Sequence, residues 1–158
     1  MAKPSAPPNW YLKIPPPIWT LAMLVAAYAM QRSFEWAAAV YVSSLPLAIA
    51  LATAGIGLAV WGARLFAAVG TEIMPTSPAN KLLVTDGPFR FTRNPMYLGI
   101  ALTSLGIAFY MGTLPFFAVP VLVFLLCNGL FIPFEEATMA RQHGAQYTDY
   151  LRRVRRWI

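Results

Sequence analysis

An all-α integral membrane protein with about four transmembrane helices is the fold class that this sequence predicts, on three observations. Hydrophobic residues fill 58% of the 158 positions and charged residues 11%, against about 45–50% and about 25% in soluble domains. The apolar residues are gathered in uncharged runs too long for a soluble core. Those runs lack the alternation of barrel strands, and backbone facing lipid must satisfy its own hydrogen bonds, which leaves helices.

The elements follow in order. Pro4, Pro7, Pro8 and Pro15 to Pro17 crowd the N-terminal segment, and no small-residue cleavage site precedes the first apolar run. No secretory signal is therefore expected, and the segment should stay attached. Ile18 to Met30, extending toward Phe34, reads as the first span. It is short against the roughly 20 residues that cover a hydrocarbon core, so Arg32 must snorkel or the bilayer must thin locally. Trp36 to Ala63 is long enough to cross with tilt, Pro46 starting its deeper portion or kinking it, and Arg64 closes the run. Asn94 to Phe134 exceeds one crossing and is interrupted by Met111-Gly112-Thr113-Leu114-Pro115, which predicts a hairpin of two spans. After Pro133 the composition is helical to about Tyr150. A basic stretch interleaved with Leu151, Val154, Trp157 and Ile158 then suits the membrane interface.

The net charge of +6 does not predict a nucleic-acid partner, because the basic residues flank apolar runs rather than cover a solvated face with stacking aromatics. Membrane lipids are the expected partners. Lys3, Lys13, Arg64, Lys81, Arg90, Arg93, Arg141, Arg152, Arg153, Arg155 and Arg156 fall on one side of a four-span arrangement, and Arg32 alone on the other. The positive-inside rule then predicts a multi-pass protein with both termini and the long loop in the cytoplasm. No metal site is expected, since His143 and Cys127 are the sole histidine and cysteine and lie apart. Cys127 suits packing, and His143 a helix end or the surface rather than a general base. A transporter is disfavoured, because no charge lies in the middle of a span.

Two features carry possible chemistry. One is the loop Leu83-Val84-Thr85-Asp86-Gly87-Pro88-Phe89-Arg90, followed by Arg93-Asn94-Pro95-Met96-Tyr97-Leu98-Gly99 at the start of a span. By composition it could equally be a basic juxtamembrane anchor. The other is Glu135-Glu136 beside the cytoplasmic end of the last span. The helix dipole alone could favour acids there, but paired carboxylates at the edge of the hydrocarbon are costly unless partnered or used.

Together with Gly144-Ala145-Gln146-Tyr147 and Tyr150, these motifs resemble the isoprenylcysteine carboxyl methyltransferase family, integral membrane enzymes that use S-adenosylmethionine and are related to phospholipid methyltransferases. The resemblance covers roughly residues 63–158. It implies a single domain in which a Pro-rich segment (1–17) and two spans (18–63) precede a cofactor-binding half (64–158). The cytoplasmic cofactor pocket would be formed by the loop before the third span and the C-terminal helix. Lys81, Leu82, Leu83 and Val84 would line it, Phe89 would add an aromatic wall, and Asn94, Pro95, Met96 and Tyr97 would lie near the cofactor. Glu135 would accept a hydrogen bond from its amino group. Glu136 and Arg93 are the candidate catalytic residues, Glu136 as a base were the acceptor an amine and Arg93 as a donor to a carboxylate.

The sequence also departs from that pattern. Asn94 stands where the family has a histidine, Phe89 where it has a tyrosine, and Phe131 where eukaryotic members carry an arginine that engages the substrate carboxylate. Phe131 is accordingly the candidate substrate-binding residue. The implied function is methyl transfer to a lipophilic carboxylate, thiol or amine, prenylated or not. A phospholipid N-methyltransferase and a non-catalytic membrane assembly protein on the same scaffold are the alternatives.

Overall fold

The computed structural model describes residues 10–70 and 82–158. Among them the protein is all-helical. After a short 3-10 turn (Trp10–Lys13) come α1 (Pro16–Ser33), the single turn α2 (Glu35–Ala38), α3 (Leu45–Ala68), a second 3-10 turn (Gly87–Arg90), α4 (Pro95–Met111), α5 (Leu114–Leu126), a π-helical turn (Cys127–Phe131) and α6 (Ile132–Arg153). Lys81 and residues 71–80 before it in the long loop, like residues 1–9 of the Pro-rich segment, lie outside the described residues.

Local sequence sets most helix ends. Prolines occupy the first turns of α1, α3, α4 and α5, where the missing N–H removes no intrahelical bond. Pro46 thus starts α3 rather than kinking it, and Ser44 caps the helix through its side chain. The second apolar run is consequently not one helix from Trp36: residues 39–44 are non-helical and α3 begins at Leu45. The expected hairpin is present. Gly112 ends α4 in the left-handed region with its N–H on Ala108 O, and α5 starts two residues later.

Two helices are long and apolar enough to cross a membrane, α3 and the continuous rod Leu114–Arg153. Only 17% of the most apolar window of α3 is buried, whereas the apolar core helix of a soluble domain would be mostly covered. Ile49, Ile56, Val60 and Trp61 of α3 and Val121, Leu122 and Leu125 of α5 are exposed, as suits side chains in contact with lipid. α4 is apolar but shorter, at 17 residues.

α3 packs along α4, α4 on α5, and α5 on α1. The α3–α4 contact is made backbone to backbone. A Cβ at Gly99 would lie 2.5 Å from Gly55 O and 2.9 Å from Ala59 Cβ, and one at Gly106 would lie 2.8 Å from Ala48 O. Without a hydrophobic drive between helices in lipid, such close approach is a main source of association. Of the pair Gly55 and Gly57, Gly55 serves this contact, while Gly57 faces open space.

The end of the bundle away from Asn94 is tied by hydrogen bonds from Tyr41 N to Gly112 O at 2.9 Å and from Ser44 N to Phe109 O at 3.1 Å. Thr113 Oγ1 donates to Gln31 Oε1 at 3.2 Å. The opposite end, where α4 begins and α5 passes into α6, holds the polar residues of the candidate site.

Candidate functional site

The loop before α4 is shaped by Gly87. It has φ +58, and a Cβ there would lie 2.6 Å from Leu65 Cδ1 and 3.2 Å from Trp61 Nε1, so only glycine fits the turn against α3. The turn buries Pro88 and Phe89, whose ring stacks at 5.1 Å from Phe66. Tyr150 of α6 donates its hydroxyl to Phe89 O at 2.8 Å. Burial raises the Tyr150 hydroxyl above its ordinary range and pushes that of Tyr147 up to about 12, with Glu136 adding to the latter. Both stay protonated and able to donate near neutral pH.

α4 then starts over the small residues at the end of α3. A Cβ at Gly62 would lie 3.2 Å from Met96 Cγ and 3.3 Å from Pro95 Cγ. Thr92 accepts from Asn94 N at 3.1 Å. One turn into α4, Tyr97 is buried and donates its hydroxyl to Glu135 Oε1.

The acidic pair is oriented by the π turn. Ile132 N bonds Cys127 O, five residues back, and Pro133 supplies no N–H of its own. One extra residue in a turn rotates every following side chain by about 100° relative to a regular helix. Downstream of it the adjacent acids take different partners. Glu135 meets Tyr97, and no cation reaches its carboxylate among the described residues. Glu136 is bound by Arg93 Nη2 at 3.1 Å, Arg156 Nε at 3.1 Å and Arg156 Nη2 at 2.5 Å.

Arg156 belongs to a strap, residues 154–158, that turns back over the start of α4. Arg93 N donates to Arg155 O at 3.0 Å, and Asn94 Nδ2 donates to Arg156 O at 2.9 Å. Arg156 Nη1 and Trp157 Nε1 both donate to Asn128 Oδ1, at 3.2 and 3.1 Å, and the Trp157 ring sits 4.8 Å from that of Phe124. The stretch expected at the membrane interface is only partly exposed. Leu151 and Ile158 are exposed, but Val154 is buried and Trp157 is half-buried against α5.

The candidate residues divide as follows. Phe89, Arg93, Asn94, Pro95, Met96, Tyr97, Phe131, Glu135 and Glu136 gather at one end of the bundle. Phe131 is buried, with its ring 6.4 Å from that of Tyr97. Leu83 and Val84 are half-buried and Leu82 is exposed. Asn94 spends its amide on the strap. His143 precedes Gly144, a non-helical break in α6, and its Nε2 is buried without a hydrogen-bond partner. A polar cavity of about 380 Å³ is lined by Thr85, Asp86, Arg90, Tyr150, Arg153 and Val154; none of the expected cofactor residues lines it.

Thr92 and Asn128 escaped the sequence reading, which gave Arg156 and Trp157 only a place in the basic interfacial stretch. Asn128 is a polar amide inside an apolar run and could have been noticed on that ground. Arg156 is hidden among basic residues that topology alone explains.

Two side chains at this site have bonding capacity to spare. Glu135 has no cation at its carboxyl group among the described residues. Arg93 Nε is a buried N–H without a hydrogen-bond partner, and such groups are normally satisfied. An amino acid portion of a ligand would suit both, its ammonium the first and its carboxylate the second, so these two residues fit the methionine end of S-adenosylmethionine.

An all-helical membrane protein whose polar residues gather at one end of the bundle is the class defined thus far. The family model of the phospholipid methyltransferases matches residues 43–146, from the residues before α3 into α6, and the chain belongs to that family of membrane methyltransferases. The isoprenylcysteine carboxyl methyltransferase-like enzymes are part of the same family. Neither the curated proteins nor the solved structures compared with the chain gave a match.

Proposed function

We propose that the chain transfers the sulfonium methyl of S-adenosylmethionine to a lipophilic acceptor that enters from the bilayer. The observation carrying this reading is the division of the acidic pair. Glu136 is occupied by two guanidinium groups, whereas Glu135 is held by a tyrosine hydroxyl and has no cation among the described residues. In this reading Glu135 accepts from the cofactor's ammonium. Arg93 offers its free Nε to the carboxylate, and Leu82, Leu83, Val84 and Phe89 wall the adenosyl group. Pro95, Met96 and Tyr97 close the pocket from α4. Titrating the purified protein with S-adenosylmethionine tests the reading: saturable equimolar binding is expected, and no binding refutes it.

S-adenosylmethionine supplies an electrophilic methyl group, and its transfer needs in-line approach more than acid–base catalysis. The chain's part is to fix the two reactants and to exclude water, which strengthens charge interactions in the site. Glu136 was expected as a base for an amine acceptor. With Oε1 taken by Arg93 and Arg156 and Oε2 by Arg156, it serves this reading better as the anchor of both arginines, and it would act as a base only where one of them lets go.

The acceptor is expected to be a thiol or an amine. Phe131 places an aromatic ring beside Tyr97, and an unpaired anion would lose several kcal/mol on entering an apolar pocket. A phospholipid amine fits both this site and the description of the family. We predict that, among acceptors of equal chain length, prenylcysteine is methylated more slowly than thiols or amines, and that Phe131→Arg raises its rate. Fastest turnover of prenylcysteine with no gain from Phe131→Arg would refute the inference.

We further propose that α1, α3, α4 and α5 with its π turn are four spans, with both termini cytoplasmic. The placement of eleven of the twelve basic residues on one side supports this orientation. A cysteine introduced at Ser5 should resist an impermeant thiol reagent added outside intact cells. Labelling from outside would reverse the topology.

A further inference from the structure

The strap at residues 154–158 lies beyond the segment 43–146 that matches the family, yet it makes the densest polar contacts at the site. We propose that Arg156 is a positioning residue of the cofactor site: it fixes Arg93, Asn94 and the start of α4 against Glu136, and so sets the distance between Tyr97 and Glu135. The proposal rests on the cofactor reading above.

Every nitrogen of the Arg156 guanidinium is used. Nε and Nη2 engage the two oxygens of Glu136, and Nη1 engages Asn128 in the π turn. The side chain thus ties the two parts of the α5–α6 rod that flank the point where its register changes. Its main chain ties the other half of the site. Arg156 O accepts from Asn94 Nδ2 at 2.9 Å and from Thr92 Oγ1 at 3.3 Å, and Thr92 Oγ1 in turn accepts from Asn94 N at 3.1 Å. Arg93 is held at both ends, its N–H on Arg155 O and its guanidinium on Glu136.

The consequence follows from the chain path. Asn94 immediately precedes α4, and Tyr97 is in that helix's first turn, so whatever fixes Asn94 fixes the Tyr97 hydroxyl. Glu135 is next to Glu136 on α6. Arg156 therefore bridges the two elements that carry the Tyr97–Glu135 pair without touching either member of it. A planar fork suits this task and an ammonium does not, because a lysine cannot reach Glu136 and Asn128 together.

The test uses the full-length protein in detergent, with two readouts on Arg156→Gln, Arg156→Lys, Glu136→Gln and the double variant Glu136→Gln/Arg156→Gln. Hydrogen exchange without cofactor reads the order of residues 89–98. Calorimetric titration with S-adenosylmethionine reads the site. Arg156→Gln should accelerate exchange in 89–98 while leaving α3 unchanged, and should weaken cofactor binding by about tenfold. Arg156→Lys should fall between it and the native protein. The double variant should bind no more weakly than the worse of the two single variants, because both remove the same contact.

Unchanged exchange in residues 89–98 of a folded Arg156→Gln protein would overturn the proposal. So would losses of affinity that add in the double variant. Should the native protein take no S-adenosylmethionine, the cofactor reading fails by itself, and the exchange measurement still decides whether Arg156 orders the start of α4.

Discussion

Glu135→Gln should weaken S-adenosylmethionine binding by roughly tenfold to a hundredfold while leaving the bundle folded. The Tyr97 hydroxyl can still donate to the amide oxygen of glutamine, so the contact seen between α4 and α6 is kept. What is lost is the charge, and a hydrogen bond to an ionised group contributes about 1.5–3 kcal/mol, which is that range of affinity. Glu136→Gln should cost less affinity, because its carboxylate is spent on Arg93 and Arg156. Its larger effect should be on thermal stability, because the Arg93 and Arg156 guanidinium groups lose their counter-charge. Calorimetry on both variants checks the contrast. Equal affinities for Glu135→Gln and the native protein would return the acidic pair to the role of favouring a helix start.

Gly99→Val should be the most damaging single change in the bundle outside the site. Its Cβ would meet backbone oxygen at 2.5 Å and the Ala59 Cβ at 2.9 Å, so α3 and α4 must part, and with them the surface on which Gly62 seats Pro95. Overpacking of this kind costs about 3 kcal/mol, and for a chain of this size that lowers the melting midpoint by roughly 6–12 °C. Gly57→Val is the matched control. It adds the same atoms to α3 where nothing lies within 4 Å, and its midpoint should stay within a few degrees of the native value, allowing about 0.5 kcal/mol for an exposed substitution. A small loss for Gly99→Val, equal to that of Gly57→Val, would mean that the two helices do not pack as closely as described.

What could be read from the sequence is what local chemistry writes into it. Gly112 and Pro115 mark the α4–α5 turn, and Pro95 marks the start of α4, because turn and first-turn residues act on their own neighbours. Pro46 left two readings open, and Ser44 two residues before it was the cap that decides for a helix start. The division of labour between Glu135 and Glu136 was beyond reach from periodicity. It depends on one π turn, and a single extra residue changes which acid faces which partner. The strap was equally illegible: Arg156 and Glu136 lie 20 residues apart and Asn94 and Arg156 lie 62 apart, and pairings at such separation leave no periodic trace. The basic run at residues 152–156 was instead fully accounted for by membrane topology, which concealed that one of its arginines turns inward.

The most direct test of the account is transfer itself. Purified protein would be given S-adenosylmethionine labelled in the methyl group, together with vesicles of mixed membrane lipids and with prenylcysteine, thiol and amine acceptors. The label in the organic extract would then be counted. The account predicts label above a protein-free control with at least one lipophilic thiol or amine, and a loss of most of that label in Glu135→Gln at limiting cofactor. Counts equal to the protein-free control with every acceptor would contradict it.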